Sequence, residues 1–343
     1  MSGFVIIPPP SINNIVVNGK QEINRSVYLY TDSVDFSSGS NLPNLPKSYV
    51  GNLTDKSYTS CVHNGEIHIF GNDSSVIEHY KYSFEDSMWI KLNDIPGSAS
   101  DIAHYRAFSL VADGKLHLYD VRPSSLDKLY EYWWDEENDT WLTEEYMEMP
   151  DYSELAYIEY RDMVVYHLAY TDRTFVYCYF KDSSDNKWYR YYKYYDTDGT
   201  SSSWYRSSVI TRFTLTPSKG IIVPLLNEST GSYNIHIIGA NSGYDHVGYI
   251  NGAYREFNEI YSPYRPWISQ AFIMNNNIYA KSKGGDILVW NESTDTWKLV
   301  CHLDVVPTRM EVIGDTIYAI GGDEDHSRLF KASATTYKMD IKN

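Results

Sequence analysis

The sequence predicts an all-β propeller of seven four-stranded blades, with six as the alternative count, and three observations carry that prediction. An aromatic or large apolar residue recurs seven positions before another aromatic, with mostly short polar residues between them. Turn pairs such as Asn-Gly and Asp-Gly recur with alternating apolar and polar flanks, the mark of a tight hairpin. The turn signals repeat at intervals of 38 to 58 residues, and a unit of that size with four strands leaves two apolar faces that only neighbouring copies cover. Composition agrees, since 33 of the 343 residues are tyrosine and 15% are aromatic, types that suit a pleated, half-buried surface.

The units follow one another along the chain. Residues 1–10 form an arm in which "FVII" is expected to lie against a terminal blade or a partner, with Pro8-Pro9-Pro10 as a stiff spacer. Unit 11–46 has its turn at Gly19 and the pair Leu29/Phe36; unit 57–96 has Gly65 and Tyr82/Trp89; unit 101–150 has Gly114 and Trp134/Trp141. Unit 155–196 is weaker, with a turn around Asp162 and Trp188. Unit 207–260 has Gly220 and Ile250/Phe257, unit 266–303 has Asn276 and Trp290/Trp297, and unit 307–343 has Gly314 and Phe330/Tyr337. Each terminal unit is expected to hold its own strands. "WYRYYKYYD", 188–196, puts aromatics on both faces of its alternation, which fits a strand wedged between blades better than a sugar-stacking platform. In "VWNESTDTWKLV", 289–300, the tryptophans are expected to pack between blades and "NESTDT" to form the turn, which makes the Asn291 glycosylation triplet a by-product of turn composition.

A net charge of −16 and the lack of any Lys/Arg run argue against nucleic-acid and anionic-membrane partners. Three widely separated cysteines suggest neither a disulfide framework nor a zinc site. The four apolar residues near the start are too few for a signal peptide or a membrane span. The expected location is cytoplasmic, or within a virion.

Residues 309–337, "RMEVIGDTIYAIGGDEDHSRLFKASATTY", resemble the kelch repeat family, with a second strand "IYAI", the pair Gly321-Gly322 and an aromatic near the end. "RAFSLVADGKLHLYD" from Arg106 is similar, while other units have lost one or both glycines. The resemblance implies a kelch-like propeller whose arginines and tyrosines near the blade-to-blade connections contact partners. Matching places are Arg106, Arg212, Tyr264, Arg265, Trp267 and Arg309. Some relatives are copper oxidases, but the histidines here recur singly at strand positions, and His68, His117 and His236 repeat one architectural place. No catalytic, metal-binding or cofactor-binding residue is expected. The reading is therefore a non-enzymatic, protein-binding propeller, a structural component of a larger assembly such as a virion or phage tail. A cytosolic adaptor that recruits a protein ligand is one alternative; a glycan-binding receptor protein or glycan-active enzyme is the other.

Overall fold

The computed structural model describes residues 31–46, 58–73, 76–96, 108–112, 114–121, 128–148, 163–168, 173–182, 187–196, 198, 200–206, 221–239, 246–250, 253–257, 260, 268–303, 306–321 and 329–337. Every regular element among them is a strand, and the strands form six antiparallel four-stranded sheets. Blade I is β2 (Tyr58–His63), β3 (Glu66–Asp73), β4 (Val76–Ser83) and β5 (Met88–Lys91); blade II is β6 (Phe108–Ala112), β7 (Lys115–Val121), β8 (Lys128–Asp135) and β9 (Thr140–Glu148). Blade III is β10 (Met163–Leu168), β11 (Arg173–Asp182), β12 (Lys187–Tyr195) and β13 (Tyr205–Arg206). Blade IV is β14 (Ile221–Asn227), β15 (Ser232–Ile238), β16 (His246–Ile250) and β17 (Ala253–Glu256); blade V is β18 (Ile268–Met274), β19 (Asn277–Ser282), β20 (Asp286–Asn291) and β21 (Thr296–His302). Blade VI takes β22 (Arg309–Ile313), β23 (Thr316–Ile320) and β24 (Leu329–Tyr337), and completes itself with β1 (Thr31–Leu42) from the other end of the chain. First strands touch in a closed circuit, β2 to β6, β10, β14, β18, β22 and back to β2, so the sheets radiate from one axis.

This architecture corrects the count of seven. Within the described residues, the unit expected at 11–46 supplies one strand, β1, which pairs antiparallel with β24 from Thr31↔Tyr337 to Leu42↔Leu329. The terminal units therefore do not each hold their own strands; the first provides the outer strand of the last. Ring closure explains the arrangement, because without β1 the last blade would have three strands and β24 would be its unpaired outer edge. Phe36 and the Phe330/Tyr337 pair lie within single strands, not on either side of a turn. The arm 1–10 and the Gly19 turn lie outside the described residues.

Three of the aromatic pairs are cross-strand neighbours as expected: Tyr82↔Trp89, Trp134↔Trp141 and Trp290↔Trp297. Each spans a four-residue turn whose last residue takes a left-handed φ: Ser87 at 54°, Asp139 at 48° and Asp295 at 51°. The two-residue turns at Asn64-Gly65 (φ 50° and 76°) and Asn275-Asn276 (φ 50° and 54°) have both central residues left-handed, which matches the twist of the strands they join. Asn291 Oδ1 accepts hydrogen bonds from the Ser293 backbone N–H (3.0 Å) and hydroxyl (2.7 Å), so this side chain shapes its own turn. Blades III and IV are offset by one strand from expectation. Asp162 and Gly220 precede the first strands β10 and β14, and Ile250 pairs with Ala253, not Phe257.

Pro224 sits mid-strand in β14 opposite Ile235. A first strand pairs on one side only, the edge position at which a sheet tolerates a proline. Apolar residues of adjacent blades merge into continuous cores. Between V and VI lie Met274, Tyr279, Ile287, Met310 and Ile317. Between VI and I lie Ile320, Leu329, Ile67, Ile69 and Tyr82. The I–II core includes Phe70, Leu118, Trp134 and Trp141, and the IV–V core Val223, Phe257, Ile278 and Trp290.

Candidate active site on the propeller axis

Polar side chains of the first strands meet across neighbouring blades. In β2, Thr59 Oγ1 meets Ser109 Oγ of β6 at 3.0 Å. Gln270 of β18 spans to β22, donating to the Met310 carbonyl (2.6 Å) and accepting from the Met310 N–H (2.9 Å), so its amide stands in for a peptide between blades. Glu311 of β22 is the one carboxylate among the described first-strand residues, and the Ser60 hydroxyl of β2 donates to its Oε1 at 2.5 Å. Burial raises the Glu311 pKa to about 7 against the opposing Ser60 hydrogen bond and the Arg309 charge. Such a carboxyl holds its proton at a pH where an ordinary glutamate has lost it. Neighbouring Cys61 is buried, and burial together with Glu311 pushes its thiol pKa up, which leaves it unreactive.

Of the expected partner-contact residues, Arg309 lies on this axis, two positions before Glu311 and therefore on the same face of β22. Arg106, Arg212, Tyr264, Arg265 and Trp267 lie outside the described residues. Glu311 was not anticipated, although its signal is plain: an acid inside "RMEVI", an otherwise apolar run after the arginine.

The three strand histidines do share one place, and their surroundings explain it. His68 Nδ1 meets His79 Nε2 of the next strand at 2.9 Å, and His236 Nδ1 meets His246 Nε2 in the same diagonal arrangement at 2.9 Å. His79 packs edge-on against Trp134 and Trp141 of blade II, and His246 packs against Trp290 and Trp297 of blade V. Each pair thus bonds to itself and shows aromatic edges to the following blade. Burial lowers the pKa of His68 and His236 to about 3 and those of His79 and His246 well below the normal value.

At the third place the pattern changes sign. Glu131 of β8 replaces the second histidine, 3.1 Å from His117 Nδ1, and receives hydrogen bonds from Lys193 Nζ of blade III (2.7 Å), from Tyr119 (2.8 Å) and from Tyr195. Burial alone would raise the Glu131 pKa; the His117 hydrogen bond and the Lys193 charge outweigh it and bring it down to about 2. Glu131 and Lys193 are 1% and 0% exposed, so no substrate reaches them and the cluster stitches blades II and III together. Among the described residues no three metal-ligating side chains converge. No helix of the described residues is long and apolar enough to cross a membrane.

No protein-family model matches the chain, and no curated protein matches it. Solved structures do. A triple arginine-to-alanine mutant of AofleA from Arthrobotrys oligospora superposes with a TM-score of 0.51 at 12% identity, covering 88% of this chain and 95% of its own. An α-L-arabinofuranosidase from Fusarium graminearum, a glutamate-to-alanine mutant bound to an iminosugar inhibitor, gives 0.54 at 10% identity, covering 86% and 98%. An exo-β-1,3-galactanase from Phanerochaete chrysosporium gives 0.47 at 10% identity, covering 87% and 71%. At these identities the likeness shows the propeller fold. It also corrects the expected function: the arabinofuranosidase is a glycan-cleaving enzyme on this fold. The expectation of a non-enzymatic, protein-binding virion or phage-tail component is withdrawn on this finding.

Proposed function

We propose that the protein is a glycan-active propeller, a glycoside-cleaving enzyme with Glu311 as proton donor. The observation that carries this reading is a carboxyl on an innermost strand, held protonated near neutrality by burial and oriented by Ser60. Glycoside hydrolysis needs such an acid: it protonates the departing glycosidic oxygen as the C–O bond breaks and positive charge spreads over the anomeric carbon and ring oxygen. Water then supplies a hydroxyl to that carbon and returns a proton to a carboxylate, so atoms and charge balance. Arg309, on the same strand face, serves to hold a sugar hydroxyl. The arabinofuranosidase with an iminosugar supports the substrate class by analogy of fold alone. The left-handed Gly321 after β23, φ 78°, supports a kelch-like origin for the scaffold.

The test is hydrolysis of a panel of aryl furanosides and pyranosides, arabinosides and galactosides included, by wild type and Glu311→Gln. Loss of the proton donor is expected to lower kcat by about 10²–10⁴-fold with the fold intact. A wild type inert on the whole panel, or a variant as active as wild type, would refute the assignment.

A further inference from the structure

We propose that the face of blade III turned away from blade II is a separate binding surface for neutral oligosaccharides. The proposal rests on the glycan reading above but uses none of the axial residues. Strand β12 alternates. Lys193 and Tyr195 are buried toward Glu131 of blade II, whereas Tyr192 and Tyr194 emerge half-buried on the opposite face. There Tyr205 of β13 lies parallel to Tyr194, with ring centroids 6.2 Å apart and 3° between planes, and close to parallel with Tyr192, at 5.4 Å and 27°. Phe175 of β11 extends the row, 5.6 Å from Tyr194. Tyr205 is 43% exposed at the outer margin of the blade.

A row that merely filled the space between blades would not keep its outermost ring in water. The end of the row is polar. The Arg173 guanidinium sits 4.2 Å from the Tyr194 ring centre, and its Nε donates to Asp196 Oδ1 at 2.6 Å, both side chains being more than a third exposed. Arg173 and Asp196 cancel each other's charge, so the patch draws neither the anions that a chain of net charge −16 repels nor cations. Flat aromatic faces beside fixed donors and acceptors of zero net charge suit a ligand with apolar C–H faces and hydroxyl edges, which is the chemistry of a neutral sugar chain.

The full-length Glu311→Gln protein, which leaves the probe uncut, is titrated with short arabino-, galacto-, xylo-, gluco- and manno-oligosaccharides by calorimetry. One class is expected to bind. Adding Tyr205→Ala is expected to weaken it about tenfold at unchanged Tm, and Tyr205→Phe to restore it, because stacking needs the ring and not the hydroxyl. Failure of every oligosaccharide to bind, or equal binding after Tyr205→Ala, would overturn the proposal. The axial reading fails separately. It falls if wild type cleaves no aryl glycoside while platform binding persists; the platform alone falls if cleavage is normal and Tyr205→Ala leaves binding unchanged.

Discussion

Mild acid should loosen this propeller at two seams, and the effect can be worked out from the histidine pairs. His68, His79, His236 and His246 are all at most 3% exposed, and burial keeps each neutral with a depressed pKa. In the unfolded chain each takes up a proton near pH 6.5, so stability present above that pH is lost as pH falls, by at most about 1.4 kcal/mol per pH unit per histidine. Glu311 acts in the opposite direction. Its pKa is raised from 4.5 to about 7, so the fold holds the extra proton in that window and gains stability on acidification. These four histidines against one glutamate leave a net three protons, roughly 3–4 kcal/mol between pH 7 and pH 5.5, and His63, its pKa also lowered by burial, adds in the same direction. With the unfolding entropy typical of 343 residues, Tm should fall by about 5 °C over that range. Differential scanning fluorimetry across the window measures it, and His79→Phe and His246→Phe should each flatten the slope by about one proton. A Tm independent of pH over this range, or double-variant protein with the wild-type slope, would refute the reasoning.

Other expectations are specific to single contacts. Trp290→Ala should cost about 3–5 kcal/mol in a urea titration, because Trp290 is 3% exposed in the IV–V core, and Trp297→Ala should cost less because that ring is only half-buried. Lys193→Met should cost about 3–5 kcal/mol by stranding the Glu131 carboxylate, and Glu131→Gln in the same background should recover part of it. Gly285→Ala should lower Tm by several degrees. Gly285 has φ +95°, and an added Cβ would lie 2.4 Å from the Leu303 carbonyl oxygen, a backbone atom that cannot swing aside.

The propeller was legible in the sequence because its hairpins use strong turn chemistry, but blade number was not. "SMW", "DTW" and "DTW" close real turns at Ser87, Asp139 and Asp295, whereas "FKASATTY" has the same seven-residue aromatic spacing without Asn, Asp or Gly and runs straight through β24. Spacing alone does not separate a four-residue turn from an eight-residue strand. Turn chemistry in its own right does not locate a strand within a blade. Asn-Glu-Ser-Thr forms a side-chain-stabilised turn both at 227–230, between first and second strands, and at 291–294, between third and fourth. The shared strand of blade VI was hidden because β1 and β24 are remote in sequence, and no local pattern records a pairing across the whole chain. For the site, the kelch resemblance pointed to Arg309 at a blade connection but not to Glu311 two positions on. Its raised pKa comes from burial, and its hydrogen-bond partner Ser60 lies 251 positions away and becomes a neighbour only when the ring closes.

The most direct measurement of the central claim is the titration of the Glu311 carboxyl itself, followed by ¹³C NMR of glutamate-labelled protein and assigned by the signal missing in Glu311→Gln. The account predicts a carboxyl that loses its proton at about pH 7. A midpoint near 4.5, the ordinary value for a solvated glutamate, would show a carboxylate already ionised at neutrality and contradict its role as proton donor.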